Sequence, residues 1–223
     1  MQTKIIQKKL EDYGYLFSIL IAFLHVIPAQ IFILLVIAFV PLCVTMLMLT
    51  VIISNMKISF NDIVIELFGI CYILGFMIFI PLLYGTVNGK ITIWYLLLSA
   101  WGSDILAYSV GRRIGKHKFT KISPNKSIEG CIAGIIGSVI FVTVYTICIN
   151  VFKGAIIPYG YVIGVGIILS ILGQCGDLAA SSIKRETNIK DFGNLIPGHG
   201  GILDRMDSII FMAPVAYILL MFF

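Results

Sequence analysis

Charged residues are scarce in this chain, since only 12% of its 223 residues are Asp, Glu, Lys or Arg. Soluble domains carry roughly 25% charged residues. By contrast, 59% of this sequence is hydrophobic and its mean hydropathy is +1.03. So little charge cannot cover the surface of a water-soluble domain. The composition therefore excludes a soluble protein and predicts an integral membrane protein.

Paired cysteines are also lacking. The five cysteines, Cys43, Cys71, Cys131, Cys148 and Cys175, each lie alone in apolar sequence, and none belongs to a CxxC motif. Isolated cysteines of this kind are typical of small buried side chains rather than of metal ligands or disulfides. Internal repeats and low-complexity segments are absent from the sequence as well. We therefore expect residues 1–223 to form one membrane-embedded domain with a short cytoplasmic leader, residues 1–12.

Long stretches without Asp, Glu, Lys or Arg mark the predicted spans. Residues 13–53 contain none of the four. A helix of that length would measure about 61 Å, twice the roughly 30 Å hydrocarbon core, so this run should fold back once, near Pro28. Further runs cover residues 67–89, 130–152 and 154–176, with 91–111 interrupted by Asp104 and a shorter last run at 208–223. Together they predict an all-α, polytopic integral membrane protein with about seven transmembrane helices.

The basic residues predict which side of the membrane the polar segments face. With two spans in residues 13–53, all but two of the 16 Lys and Arg residues lie on the side of the N-terminus, the exceptions being Lys90 and Lys153. Cytoplasmic loops carry the excess of Lys and Arg. The N-terminus and both polar segments, residues 112–127 and 177–207, should therefore face the cytoplasm, where nucleoside triphosphates are found.

The polar segment near the C-terminus has a spacing that brings carboxylates together. Asp177, Ser181 and Lys184 follow at i, i+4 and i+7, which places them on one face of a helix. Asp204 and Asp207 share a face at the start of the last helix. Residues 193–201 are rich in Gly and Pro, so they predict a loop that returns the chain and lets the two helix ends meet. Its glycines would allow backbone to approach a phosphate closely.

Carboxylates from two helices beside Lys and Arg suit a magnesium–polyphosphate site. Mg²⁺ takes one or two carboxylates together with phosphate oxygens and water. The cation and the basic side chains would neutralise charge that develops at phosphorus. The alternative is a set of ion pairs at the membrane surface. The helical spacing, the Gly-rich turn and the free-energy cost of ionisable groups beside spans favour a functional site.

The same segment resembles, position by position, the signature of the phosphatidate cytidylyltransferases (CDP-diacylglycerol synthases). In that family a Ser stands three before Lys-Arg, Lys-Asp follows, and a Pro-x-His-Gly-Gly turn precedes Asp-Arg-x-Asp. The matching positions are Ser181, Lys184, Arg185, Lys190, Asp191, Gly193, Pro197, His199, Gly200, Gly201, Asp204, Arg205 and Asp207. An upstream block, residues 103–130, resembles the family less specifically, because Asn125 stands where a second Lys is expected and Ser127 where Thr is usual.

The resemblance implies an enzyme that transfers CMP from CTP to phosphatidic acid in phospholipid biosynthesis, giving CDP-diacylglycerol and pyrophosphate. It implies an active site at the cytoplasmic face of a bacterial inner membrane. The implied catalytic residues are Asp177, Ser181, Lys184, Asp204 and Asp207, of which Asp177 and Asp204 would hold Mg²⁺, with a second cation left open. The implied substrate contacts are Asp104, Arg112, Lys126, Arg185, Lys190, His199, Gly200, Gly201 and Arg205. His199 fits a phosphate contact or a loop role better than a general base, because the lipid phosphate is already an anionic nucleophile.

The expected partners are CTP, phosphatidic acid and membrane lipids, with no nucleic acid; the family precedent suggests a homodimer. Two other functions stay open. A CTP-dependent kinase of lipid alcohols, of the polyprenol type, would share the membrane setting but would release CDP, and it is not expected to match the full signature. An ion-coupled transporter would explain Asp104 and Asp177 as ion sites, but it gives no reason for the Gly-rich loop.

Overall fold

The structure, a computed structural model, describes residues 60–120, 123, 126–154, 156–193, 201–221 and 223, with a few helical positions between 38 and 49. These residues form helices α1 (Phe60–Met77), α2 (Phe79–Tyr84), α3 (Gly89–Ile114), α4 (Ile128–Lys153), α5 (Tyr159–Glu186) and α6 (Leu203–Leu220). Across the described ranges the only β pairing is a single antiparallel bridge between Lys118 and Ser127. The predicted all-α class is therefore confirmed for this part of the chain. The predicted fold-back near Pro28 lies outside it.

The chain divides into two compact units, Met1–Pro81 and Leu82–Phe223. The first unit contains α1. The second contains α3, α4, α5 and α6, and with them both predicted polar segments. The expectation of one domain over residues 1–223 stays a prediction.

Four stretches of the described chain are long and apolar enough to cross a membrane: Leu67–Tyr84, Gly89–Ile114, Ile128–Lys153 and Tyr159–Glu186. They agree with the runs read from the sequence, and the chain is an integral membrane protein. Within the first stretch the helix is interrupted at Ile78. Pro81 accounts for the interruption, because it has no N–H for the carbonyl of Met77 and its ring crowds that carbonyl. The total of seven spans stays a prediction.

Buried hydroxyl groups join α3, α4 and α5. Tyr95, Ser99 and Ser103 follow at i, i+4 and i+8 on one face of α3, and all three are buried. Their side chains pair with three hydroxyls: Tyr95 with Thr146 at 2.9 Å, Ser103 with Ser170 at 2.9 Å, and Ser99 with Ser138. Hydroxyl groups withdrawn from water are stable only when they are hydrogen-bonded, so these pairs fix how the helices face one another.

The backbones of α3 and α4 touch where two glycines meet. A Cβ atom on Gly137 would lie 2.3 Å from the carbonyl oxygen of Gly102, and one on Gly102 would lie 2.8 Å from the carbonyl oxygen of Gly137. No side chain fits at either position, as at other close helix crossings in membranes. This contact sets the spacing of the two helices that form one wall of the site described next.

Candidate active site

A cavity of about 540 Å³ lies between α3, α4, α5 and the segment that precedes α4. Its charged lining consists of Asp104 and Arg112 from α3, Lys126 from the connecting segment and Asp177 from α5. All four residues were predicted from the sequence as site residues. The uncharged residues of the lining are Ser103, Ala107, Tyr108, Gly111, Ser123, Ser127, Gly130, Cys131 and Gln174. The two polar segments, which lie far apart in the sequence, therefore contribute to one cavity.

Asp177 is held by Lys126. The distance between Lys126 Nζ and Asp177 Oδ2 is 2.6 Å, and the side chains are 21% and 37% exposed. The same ammonium group donates to the carbonyl oxygen of Gln174 at 3.3 Å. Asp104 lies within electrostatic range of both Asp177 and Lys126. The cavity therefore holds two carboxylates and one lysine side chain that is partly accessible to solvent.

The backbone that carries Lys126 is anchored to the start of α4. Phe119 N donates to the Lys126 carbonyl at 3.0 Å, and Ile128 N donates to the His117 carbonyl at 3.0 Å. Ser127 caps α4 through its Oγ, which accepts from Gly130 N at 3.1 Å. A side-chain cap at this position satisfies one of the free N–H groups of the first helical turn. The Lys126 side chain therefore extends into the cavity from a backbone that is held in place by hydrogen bonds.

A second ionic cluster joins the ends of α5 and α6. Lys184 Nζ donates to Asp204 Oδ1 at 2.9 Å, and the side chains are only 14% and 8% exposed. The other carboxylate oxygen, Oδ2, accepts from Phe192 N at 2.9 Å and from Gly201 N at 3.0 Å. The Lys184 ammonium also lies 5.3 Å from the centre of the Phe192 ring, a cation–π distance. The predicted meeting of the two helix ends is confirmed by these contacts.

The two ends of the Gly-rich loop lie side by side. A Cβ atom on Gly201 would lie 2.9 Å from Gly193 N and 3.1 Å from Gly193 Cα, and backbone atoms cannot yield as a flexible side chain could. Position 201 therefore requires glycine for packing. The loop between these ends, including His199 and Gly200, lies outside the described residues.

Asp207 connects the two clusters electrostatically. A Cβ atom on Gly176 would lie 2.9 Å from the Asp207 carbonyl oxygen, so α5 and α6 touch beside Asp177. Burial, with the neighbouring charge of Asp177, raises the pKa of Asp207 to about 6. A cation between these carboxylates would lower that pKa again, because it stabilises the ionised form.

The pKa of Asp204 is shifted in the opposite direction to that of Asp207. Burial on its own would raise its pKa, but the hydrogen bonds from Lys184, Gly201 and Phe192 outweigh burial and hold the pKa below the usual value of 3.8. The Asp204 carboxylate is therefore ionised at neutral pH.

Two neighbouring serines on α5 differ in what their hydroxyls do. Ser182 Oγ donates to the Leu178 carbonyl of its own helix at 2.9 Å. Ser181 is half-buried on the face that carries Asp177 and Lys184, and its Oγ has no hydrogen-bond partner among the residues that the structure describes. Of the two hydroxyls, that of Ser181 is the one available to a ligand.

Three predicted substrate contacts lie away from the cavity. Arg185 is exposed in the last turn of α5, Lys190 is exposed in the segment that follows, and Arg205 is exposed on α6. None of them lines the cavity. Their roles stay predictions.

Gln174 and Tyr108 are cavity residues that were not predicted as site residues. Gln174 Nε2 donates to the Cys131 carbonyl at 3.1 Å and to Ser170 Oγ at 3.3 Å, which ties α5 to α4. Arg112 donates to the Tyr108 hydroxyl at 3.2 Å. The available signal for Gln174 was its position inside an apolar run, one helical turn before Asp177 and on the same face.

No three His, Cys, Asp or Glu side chains are close enough to hold a metal ion by themselves within the described ranges. The two carboxylates predicted to hold Mg²⁺, those of Asp177 and Asp204, are each paired with a lysine. The Asp177 carboxylate, which lines the cavity, fits Mg²⁺ bound together with a nucleotide, since Mg²⁺ then takes one or two carboxylates and completes its shell with phosphate oxygens and water. Both oxygens of Asp204 already accept hydrogen bonds, from Lys184, Phe192 N and Gly201 N.

The sequence profile of the cytidylyltransferase family matches residues 2–223. A Bacillus subtilis protein named phosphatidate cytidylyltransferase is 42% identical over 136 residues, which cover 60% of this chain and 49% of that protein. Proteins of the same name from Staphylococcus haemolyticus and Staphylococcus aureus are 42% and 41% identical over 174 residues, covering 76% of this chain and 63% of each relative.

The alignments therefore span about half to three-fifths of the length of these curated relatives. The profile match is more extensive and covers nearly every residue of the chain. It includes both polar segments, from which the cavity and the second ionic cluster are built. The resemblance read from the signature is thereby confirmed, and the chain belongs to the cytidylyltransferase family.

Proposed function

We propose that this chain is a phosphatidate cytidylyltransferase, which transfers CMP from CTP to phosphatidic acid and releases pyrophosphate. The observation that carries the proposal is the cavity in which Asp104, Arg112, Lys126 and Asp177 converge from two distant segments of a family member. Clustered carboxylates and bases of this kind suit a nucleotide triphosphate with its counter-ion. The names of the relatives support the lipid substrate.

The proposed reaction is an in-line displacement at phosphorus. An anionic oxygen of the lipid phosphate forms a bond to the α-phosphorus of CTP. The bond from that phosphorus to the oxygen bridging the α and β positions breaks, and pyrophosphate leaves with the electron pair. No proton has to be removed from the nucleophile, so the residues serve mainly to position the reactants and to stabilise charge.

Each side chain has a proposed role in that scheme. Lys184 and Lys126 place ammonium groups where phosphate charge collects, and a point charge contributes more as charge builds up in the transition state. Ser181 offers its unpaired hydroxyl to a phosphate oxygen. Asp204 holds Lys184 and both ends of the Gly-rich loop in place. His199, in that loop, is proposed to contact phosphate.

Asp177 and Asp204 are the proposed ligands of Mg²⁺, with Asp104 and Asp207 beside them; a second cation stays open. When bound, Mg²⁺ would neutralise the charge of the polyphosphate and of the leaving pyrophosphate. Each of the two carboxylates forms an ion pair with a lysine ammonium group, so each already lies where a positive charge is stabilised.

The location follows from the charge distribution. We propose a bacterial inner membrane, with the N-terminus and the active site on the cytoplasmic side, because the predicted seven spans would put 14 of the 16 Lys and Arg residues on that side. Cysteine-accessibility labelling in oriented vesicles tests this arrangement. Position 118 should react from the cytoplasmic side and position 153 from the opposite side; labelling of both from one side would contradict it. A homodimer is proposed from the family precedent alone.

The decisive experiment is product identification. Purified protein with CTP labelled in its cytosine ring and with phosphatidic acid should form a lipid-soluble labelled product and release pyrophosphate. A kinase of lipid alcohols would instead release labelled CDP into the aqueous phase, and a transporter would form neither product. Asp177→Asn serves as the matched inactive control, because it preserves the size of the side chain while removing its charge. Absence of a lipid-soluble cytidine product from folded protein would refute the proposal.

A further inference from the structure

The two lysine–aspartate ion pairs found among the described residues lie on the two proposed metal ligands, but they differ in exposure. The Lys184–Asp204 pair is 14% and 8% exposed, and Asp204 is further fixed by two backbone N–H groups. The Lys126–Asp177 pair is 21% and 37% exposed and lines the cavity. Apart from the ion pair, the Lys126 ammonium makes one longer contact, to the Gln174 carbonyl at 3.3 Å. The Lys126–Asp177 pair is therefore the one in which another cation could replace the lysine.

The charges around Lys126 explain why a cation belongs there. Asp104 and Asp177 both face the cavity, and Asp207 is close enough to Asp177 for the two carboxylates to affect each other electrostatically. Like charges gathered in a partly buried place are unfavourable without a counter-ion. Lys126 supplies one positive charge from an anchored backbone, and its four-carbon side chain allows the ammonium to move by several ångströms without any movement of the loop.

We propose that Lys126 is a tethered counter-ion of Asp177, which it releases when a divalent cation binds, so that the freed ammonium becomes available to the phosphates of the substrate. This inference rests on the proposed function, which supplies the reason for a divalent cation. It assigns Lys126 an exchange role in addition to a phosphate contact. It also implies that the lysine competes with the cation, so that its removal should strengthen cation binding.

The test measures Mn²⁺ binding to the purified full-length protein by electron paramagnetic resonance, without nucleotide. Lys126→Met should tighten Mn²⁺ binding about tenfold, the order expected for loss of a charge-assisted hydrogen bond that competes with the ion. The matched control is Lys118→Met, which removes the same charge from an exposed position of the same segment. It should change the affinity by less than about twofold, because exposed charges at a distance are screened. Asp177→Asn should weaken binding and abolish the effect of Lys126→Met.

A second measurement uses the unaltered protein and does not depend on how any variant folds. Brief acetylation followed by mass spectrometry reports the reactivity of each lysine. Addition of Mn²⁺ should raise the acetylation of Lys126 severalfold and leave that of Lys118 unchanged. Unchanged or weaker Mn²⁺ binding by folded Lys126→Met, or Lys126 acetylation that does not rise with Mn²⁺, would overturn the proposal. If the wild type still forms CDP-diacylglycerol, such a result would leave the proposed function intact.

The opposite combination is also possible. If the wild type forms no CDP-diacylglycerol but Lys126→Met binds Mn²⁺ more tightly, the proposed function is refuted and the exchange role of Lys126 is not.

Discussion

Replacement of Asp204 by Asn should destabilise the protein, because the Asn side chain cannot accept all the hydrogen bonds that the Asp204 carboxylate accepts. Three donors converge on its two oxygens: Lys184 Nζ on Oδ1, and the N–H groups of Phe192 and Gly201 on Oδ2. Asn has one oxygen and an NH₂ group that cannot accept, so at least one donor loses its partner whichever way the amide points. Breaking a buried, charge-assisted contact costs on the order of 2–4 kcal/mol. For a chain of this size that is a fall in Tm of roughly 5–15 °C.

The assay is thermal unfolding of Asp204→Asn in detergent, followed by intrinsic fluorescence. Asp191→Asn is the matched control, because Asp191 is exposed in the neighbouring segment. Its effect should stay within about 0.5 kcal/mol. A Tm for Asp204→Asn equal to that of the control at pH 7 would refute the argument.

The pH dependence of the same difference provides a second check. The pKa of Asp204 lies below its usual value of 3.8, so ionised Asp204 stabilises the folded state. The stabilisation is fully present above pH values near 3.8 and is lost as the pH falls through the lower, folded-state pKa. The Tm difference between wild type and Asp204→Asn should therefore be constant near neutrality and shrink only in acid. A difference that disappeared as the pH rose would contradict the assignment.

Three further outcomes are expected. Ser181→Ala should lower the rate of CDP-diacylglycerol formation about tenfold, on the order of one hydrogen bond. Ser182→Ala should have little effect, because the Ser182 hydroxyl is hydrogen-bonded to its own helix. Rate assays that gave the reverse order would show that another face of the helix lines the site. Gly137→Ala should lower stability by about 1–3 kcal/mol, because its Cβ would lie 2.3 Å from a backbone oxygen. The matched Gly164→Ala, with nothing within 4 Å of the added atom, should be neutral or slightly stabilising in the same unfolding assay. EDTA should abolish CDP-lipid formation and Mg²⁺ restore it; full activity in metal-free buffer would remove the metal assignment.

The α-helical class and the positions of four candidate spans were predictable because both depend on local sequence. Apolar runs without charge determine where helices cross a membrane, and helical spacing determines which residues share a face. The apolar run at 154–176 located α5 within the membrane, and the helical spacing of Asp177, Ser181 and Lys184 predicted that the helix continues past the run, as it does to Glu186. The run did not predict where the helix begins, which is Tyr159 and not residue 154. An apolar run reports which residues suit the hydrocarbon, and the ends of a helix are not bound to that limit.

The partners of the site residues were not predictable from the same patterns. Asp177 and Asp204 were grouped as two equivalent metal ligands, yet one faces Lys126 in an accessible cavity and the other is nearly buried with Lys184. Lys126 precedes Asp177 by about fifty positions, so nothing in local spacing connects them. Gln174 is similar: its polar side chain was visible in an apolar run, but its bond to the Cys131 carbonyl depends on the packing of α4 against α5.

By itself, the sequence determined that the chain spans a membrane as helices, that just over half of its charged residues lie in two polar segments, and that the second segment carries the signature of the cytidylyltransferase family. These properties are local, since each depends on residues within one span or one motif. Only the tertiary structure decided which charges meet. The backbone contact of Gly102 with Gly137 and that of Gly176 with Asp207 fix the helix spacings, and those spacings place Lys126 on Asp177 and Lys184 on Asp204. Such distances arise from packing between helices, which a linear pattern does not contain.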